Sequence, residues 1–324
     1  MITLVKAGLL ATVQDVGRPG YRASGMPVSG PMDRLAHAAA NLLAGNDPGA
    51  AAVELTFTGG TWRFEAPLLA ALAGADMGAV LDGAPLAPWG AFRAPAGSTL
   101  TLGHARAGVR AYLAVRGGIA VPPVLGSRST YTRARVGGLE GRALVSGDRL
   151  PVGKGRGRAP APRALATAGL PPCGGGEVRL RVILGPQADL FEEDGIAAFL
   201  ETTWKVTPQN DRMGYRLTGP PIPLRGPTDI LTDALVPGAV QVPGDGLPIA
   251  MMVDCQTTGG YAKIAAVIGP DLRLLAQARA GDPVRFVRCT QAEAVKALKA
   301  ERASLVRIVS DGSRPVVRAS RAGR

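Results

Sequence analysis

The chain has 324 residues, enough to bury a sizeable core and to make two domains the natural expectation. Its 44 glycines and 27 prolines, against 4% aromatic residues, argue for many turns and short strands rather than long helices. The formal charge of +12 invites a nucleic-acid or anionic-membrane partner, but much of the excess lies in 153–163 and after residue 290, and no run interleaves basic with aromatic residues, so nucleic acid is not expected.

The first region, Met1 to Val152, holds short strand-like runs at Thr3–Val5, Val53–Phe57, Leu68–Ala73, Thr99–Leu102 and Arg110–Val115. "MITLVKAGLLATVQD" turns polar too early for a signal peptide, and the apolar stretch 66–75 is broken by Asp76 and Asp82. A cytoplasmic protein without a membrane span is therefore expected. One helix is predicted in "MDRLAHAAANLLAG", where Leu35, Ala39, Leu42 and Leu43 share a face; Asp33 caps its start and Gly45 its end. Further on, "GSRSTY" (126–131) offers Ser127, Arg128, Ser129 and Thr130 after a glycine turn. A guanidinium among hydroxyls suits a carboxylate or phosphate. The same residues also suit a plain surface turn.

Residues 153–176 read as a Gly/Pro/Arg-rich linker. The second region, 177–290, opens on the strand "EVRLRVILGP" and a helix at 187–201. Strands follow at 228–232, 238–242, 248–253, 263–268 and 283–288, with a helix near 271–279. Residues 291–324 begin as the helix "AEAVKALKAER" and decay into a basic tail whose last ten or so residues are expected to be mobile. The motif GYR-x-x-G-x-P occurs at both 20–27 and 214–221, an internal echo consistent with two related β-barrels or sandwiches.

Two His, His37 and His104, come without a G-x-S-x-G elbow. Cys173, Cys255 and Cys289 form neither a CxxC pair nor a zinc spacing, so no metal is expected. Asp245, in "PGDG", reads as a turn residue. The most site-like stretch is "DCQTTGGYAKIA" (254–265). Asp254, Gln256, Thr257, Thr258 and Tyr261 supply donors and acceptors, Gly259 and Gly260 allow close backbone approach, and Lys263 adds a cation. The expectation is a ligand-facing turn feeding a buried strand. Ile264, Ala266 and Ile268 would fill the core, and Thr257, Thr258 and Lys263 would line a cleft.

"TVQDVGRPGYRASGMPVSGPMD", "AANLLAGNDPGAAAVE", "RAYLAVRGGI", "GSRSTY", "DRMGYRL" and "DCQTTGGYAKIA" occur in that order. Together they resemble the C-subunit family of bacterial 5-oxoprolinase, also described as allophanate hydrolase subunit 2, KipA-like, or biotin-dependent carboxyltransferase-like. The resemblance covers roughly residues 3–290. It implies a mainly β fold with a few helices, in two cyclophilin-like β-barrel domains. It also implies two partners, a KipI-like B subunit plus a homologue of the A subunit, in a machine that opens 5-oxoproline to glutamate at the expense of ATP. ATP would act at the level of the complex, none held tightly by this chain, which would be inactive alone on a small amide or lactam. The residues implicated in catalysis are Lys263, Asp254 and Arg128. Two alternatives stand beside this. One is a regulatory protein antagonising a KipI-like kinase inhibitor. The other is the carboxyltransferase component of a biotin-dependent urea carboxylase or allophanate system, which would need a separate biotin carrier since no "MKM"-type motif is present. The family pattern usually reads D-R-Q-T-T-G-G-Y-P-K; here Cys255 and Ala262 replace its Arg and Pro.

Overall fold

The computed structural model describes residues 1–165, 176–226 and 229–310. Cys173 and the expected mobile tail after residue 310 lie outside them. Two β-rich halves emerge, each around its own apolar core.

In the first half, two antiparallel sheets stack. One runs in the order Arg149–Leu150, Ile2–Lys6, Thr58–Phe64, Thr99–His104, Val80–Leu81, Ala84–Pro85. The other runs Leu10–Gln14, Ala52–Thr56, Ala107–Val115, Leu68–Asp76, Gly90–Ala94. Leu4, Trp62, Phe64 and Leu100 from the first sheet meet Val13, Val53, Leu72 and Leu113 from the second in one cluster. The second sheet is covered on its other face as well. Helix α1 (Arg34–Leu43) lays Ala36, Ala39, Ala40 and Leu43 against Ala71, Ala73, Tyr112 and Ala114. Burial on both faces explains why "LLAALAG" is apolar without alternation, and the small alanines let the helix approach closely.

The second half closes on itself. Val178–Leu184 pairs in parallel with Pro283–Arg288 and antiparallel with Thr258–Val267, joining the two ends of a ring. Asp229–Ala234 hangs outside the ring on Thr258–Val267, and its Leu231 is 94% exposed. Helix α2 (Glu193–Glu201) seals the ring with Phe199, which stacks on Phe286 at 4.3 Å between ring centroids beside the buried Trp204. Helix α3 (Leu272–Ala276) adds Leu275 and Ala276 to the same core.

Several expectations shift. The helix expected over 187–201 is interrupted, because Phe191 is extended and bridges to Leu224. Thr58–Phe64 and Trp204–Asn210 went unread as strands because Gly59, Gly60 and Pro208 look like breakers; Trp204–Asn210 carries a register shift around Pro208, whereas Thr58–Phe64 pairs in regular register with Thr99–His104 and meets an extra residue, Val5, in Ile2–Lys6. Gly60 has φ +75, and a Cβ on it would lie 2.3 Å from the Lys6 carbonyl oxygen, so only glycine serves at this position. The GYR echo is not structural. Its first copy lies in an exposed turn, and its second enters the strand Gly214–Thr218. The described part of the linker is laid along the first half: Ala91 N–H donates to Arg163 O, and Leu165 N–H to Trp89 O. Helix α4 (Gln291–Ser310) outruns its predicted end. It opens on a capping box in which Thr290 and Glu293 exchange hydrogen bonds, and Leu305 packs against the α1 cluster.

Candidate functional site

The two halves meet through a buried polar seam. Glu54 sits in the middle of the strand "AVELT", every residue of which is buried. A charge placed there must be partnered. Its carboxylate accepts from Met32 N–H at 2.9 Å, Tyr112 Oη at 2.7 Å and Arg212 Nη1 at 2.6 Å. Arg212 comes from the loop "DRMGYR" of the other half. Its Nε and Nη2 grip Asp254 at 2.7 and 3.1 Å, and Nη2 also donates to Gly30 O at 2.7 Å. One guanidinium thus bridges two carboxylates drawn from different halves, in the fork geometry only arginine offers. Burial pushes the Glu54 carboxyl up, but Arg212 and Arg110 beside it more than offset this and hold it below its usual range. Burial opposes the charge on Arg212 too, yet Asp254 and Glu54 raise its pKa overall.

A second tie lies alongside. Gln277 accepts from the N–H groups of Val109 and Arg110 and donates to Asp33 Oδ2 at 2.9 Å and to Arg110 O. Asp33 caps α1 as expected, taking Ala36 N–H at 3.0 Å, and also holds Arg273 Nε at 3.4 Å. The cap therefore fixes the second half as well as the helix.

At the seam lies a cavity of about 280 Å³, walled by Arg110, Tyr131, Arg133, Arg212, Met213 and Asp254. An adjoining cavity of about 420 Å³ shares Arg133, Asn210, Asp211 and Met213 and adds Gln256 and Tyr261. Asp254 brings acceptor oxygens to the inner wall. Arg110 Nη1 is spent on Tyr215 Oη and Ala276 O, and its Nε, without a hydrogen bond, pairs with Glu54 at 4.0 Å. Burial and Asp254 raise the Tyr131 phenol above its ordinary pKa, so it stays protonated. A wall with carboxylate acceptors and cationic donors is complementary to an amide, which presents N–H and C=O together.

The expected residues divide. Asp254, Gln256 and Tyr261 line these cavities; Ser127, Arg128, Ser129, Thr130, Thr257, Thr258, Gly259, Gly260 and Lys263 do not. The hydroxyl loop is a latch on Asp15. Ser127 Oγ, Ser129 Oγ, Arg128 N–H and Gly17 N–H all donate to that carboxylate. Thr130 Oγ1 donates to Val13 O at 2.9 Å, and Arg128 Nε to Val121 O at 2.7 Å. Lys263 is buried and gives Nζ to Asp233 at 2.8 Å. Neither Gly259 nor Gly260 has a positive φ. A Cβ on Gly259 would strike Gln241 Nε2 at 2.7 Å, so that glycine makes room for a protein side chain; one on Gly260 would meet only Ile230 O at 3.5 Å. Of the residues expected in the core, Ile264 and Ile268 are buried as expected and Ala266 is not. Ala262 and Ile264 are core residues, then Ala265 and Val267, with Ala266 only half-buried. A bulge opposite Val240 and Gln241 shifts the register and flips the alternation. Cys255 is fully buried, and burial pushes its thiol up to about 11, with Arg22 opposing, so it is an inert packing residue. His37 is buried and faces Gln14 O, while His104 is exposed, so they form no triad. Asp245 accepts Leu247 N–H, as a turn residue should.

Comparison with known proteins matches residues 24–288 to the carboxyltransferase domain, subdomain A and B. The chain belongs to that family. It is 44% identical over 299 residues to the C subunit of 5-oxoprolinase from Escherichia coli (strain K12), spanning 92% of this chain and 94% of the relative. The C subunit of the Haemophilus influenzae 5-oxoprolinase is 36% identical, over 91% and 94% of the two chains. Urea amidolyase of Kluyveromyces lactis superimposes with a TM-score of 0.89 at 30% identity, over 95% of this chain but 20% of that one. The family match takes in both sides of the seam, including Glu54, Arg110, Arg212 and Asp254.

Glu54, Arg110, Tyr131, Arg133 and Arg212 escaped the sequence reading as site residues. Two signals were available: a glutamate inside an apolar strand, and an arginine in "DRMGYR" next to the echoed GYR. Neither names its partner, because Glu54 and Arg212 are 158 residues apart.

Proposed function

We propose that this chain is the C subunit of an ATP-dependent 5-oxoprolinase, and that the seam cavity takes the lactam. The observation that supports this is Asp254, held by the Arg212 fork in the wall of a cavity that Arg110 and Arg133 also line. Asp254 accepts the lactam N–H. The arginines and the Tyr131 hydroxyl face the oxygen on which negative charge develops as the ring opens. The chain works in the cytoplasm with two partners, a KipI-like B subunit plus an A-subunit homologue. ATP is used at the level of the complex, and the chain alone is inactive. The test is reconstitution with both partners and measurement of 5-oxoproline-dependent ATP hydrolysis. Asp254→Asn keeps an oxygen and loses the charge, and should cost on the order of 10²-fold or more in rate. Full activity of that variant, or turnover by the isolated chain, sinks the assignment.

The fit to urea amidolyase favours a second reading, carboxyl transfer from biotin to urea in the same cavity. Biotin-dependent carboxylation of urea, with no response to 5-oxoproline, would select it.

A further inference from the structure

A third cavity, of about 210 Å³, lies where the segment before α1, the start of α3 and the middle of α4 converge. Val253 lines it and Asp254 lines the seam cavity, so one short segment separates the two. Arg273 on its wall is 4% exposed. The Nε of Arg273 is held by Asp33, but Nη1 and Nη2 have no hydrogen-bond partner. Ser29 is 1% exposed, its Oγ is also unpartnered, and it is held at φ +58 with its N–H spent on Val253 O. Buried donors left unmade are expensive, and a serine in the left-handed region adds strain. Such a combination persists where an occupant recovers the cost.

The remaining wall defines the occupant. Arg34 at the start of α1 adds a second cation at the rim. Met32, Val253 and Leu272 supply apolar surface. A guanidinium with both terminal nitrogens free matches two oxygens in a plane, and the apolar wall suits a short hydrocarbon body rather than a fully hydrated inorganic anion. Glu301 of α4 faces the same space, yet it makes no ion pair with Arg273 or Arg34 among the described residues. Burial pushes its carboxyl up, with Arg273 and Arg34 acting against the rise.

We infer that this cavity binds a small aliphatic carboxylate, with Arg273 Nη1 and Nη2 donating to its two oxygens, Ser29 Oγ donating beside them, and Glu301 standing as the like charge that limits affinity. The site is separate from the lactam cavity and does not depend on the lactam assignment. Occupancy ties α1, α3 and α4 together and so stabilises the fold.

Butanoate is the probe, with inorganic phosphate and butylamine as controls, on the full chain by calorimetric titration and thermal unfolding. Saturable butanoate binding with Kd of about 1 mM or tighter is expected, with a rise in Tm. Arg273→Lys should weaken it at least tenfold, and Ser29→Ala severalfold. Glu301→Gln should tighten it severalfold, a change of sign that a purely structural role would not produce. Asp254→Asn should leave it unchanged, which separates this site from the seam cavity. If Arg273→Lys fails to fold, Ser29→Ala and Glu301→Gln carry the test. No saturable butanoate binding, equal binding of phosphate, or weaker binding in Glu301→Gln overturns the inference.

Discussion

The hydroxyl loop 126–131 and the loop 211–213 each carry an arginine that pins a carboxylate or carbonyl, and use it in opposite directions. In the first loop Ser127, Ser129 and the Arg128 N–H turn inward onto Asp15, Arg128 Nε ends on a backbone carbonyl, and only Tyr131 at the end of the loop reaches the cavity wall. Arg212 reaches into the other half with Nη1, onto Glu54, and with Nε and Nη2 holds Asp254 of its own half at a cavity wall. A polar cluster therefore becomes a latch or a site according to where its acceptor comes from. In one case the acceptor is Asp15, at the end of an adjoining strand of the same half; in the other there are two, Asp254 from the same half and Glu54 across the seam.

The sharpest way to break this comparison is Arg212→Met. It leaves Glu54 and Asp254 buried without their common cation, and stability should fall by about 3–5 kcal/mol. Urea unfolding of the single variant and of its combination with Glu54→Gln should reveal coupling above about 1 kcal/mol. Simple additivity would mean that the seam is not one network. Asp15→Ala should come next, at about 2–4 kcal/mol, since four donors lose one acceptor. The difference between the two regions lies in rate. At a temperature where both variants are folded, assembled enzyme carrying Asp15→Ala should keep most of its turnover and Arg212→Met should lose it. A large rate loss in Arg128→Gln would return the first loop to the chemistry.

Acid should distinguish the seam from the rest of the molecule. The folded pKa of Glu54 lies below its ordinary 4.5, so its stabilising contribution is complete above 4.5 and disappears as pH falls through the lower, folded value. Burial depresses His37 below 6.5. The unfolded chain takes up that proton first, so stability already begins to fall as pH drops through 6.5. Each such proton is worth up to about 1.4 kcal/mol per pH unit within its window. His37→Gln should flatten the slope just below 6.5 and leave the steeper loss below 4.5. An unchanged upper slope would show that His37 is not its source.

Much of the strand pattern was legible because apolar runs between glycines and prolines report short β elements, and Asp33 reported its own helix. Asp254, Gln256 and Tyr261 were legible as cavity-lining residues because they sit in a dense polar stretch. The rest was hidden for a physical reason. Thr58–Phe64 hides behind its glycines Gly59 and Gly60, and the face of Thr258–Val267 flips at an irregularity, which no alternation rule anticipates. Arg128 and Lys263 looked exposed and unpaired; their partners, Val121 O and Asp233, lie outside their own motifs.

The smallest expected effect tests the residue that looked most catalytic. The Lys263 side chain is 6% exposed and that of its partner Asp233 is 48% exposed. The Lys263 N–H is held separately by Gln187. Burial makes the lysine depend on its pairing, but the partner is open to water, which screens the attraction and solvates Asp233 if the lysine goes. Lys263→Met keeps most of the apolar stem and removes a charge that would otherwise need a partner. Its stability should change by no more than about 1 kcal/mol in either direction. Since Lys263 lines neither seam cavity, the assembled enzyme should turn over within about twofold of the parent rate, on the scale of a substitution away from reacting atoms. A loss on the order of 10²-fold with the fold intact would place the chemistry at the Lys263–Asp233 pair rather than at Asp254.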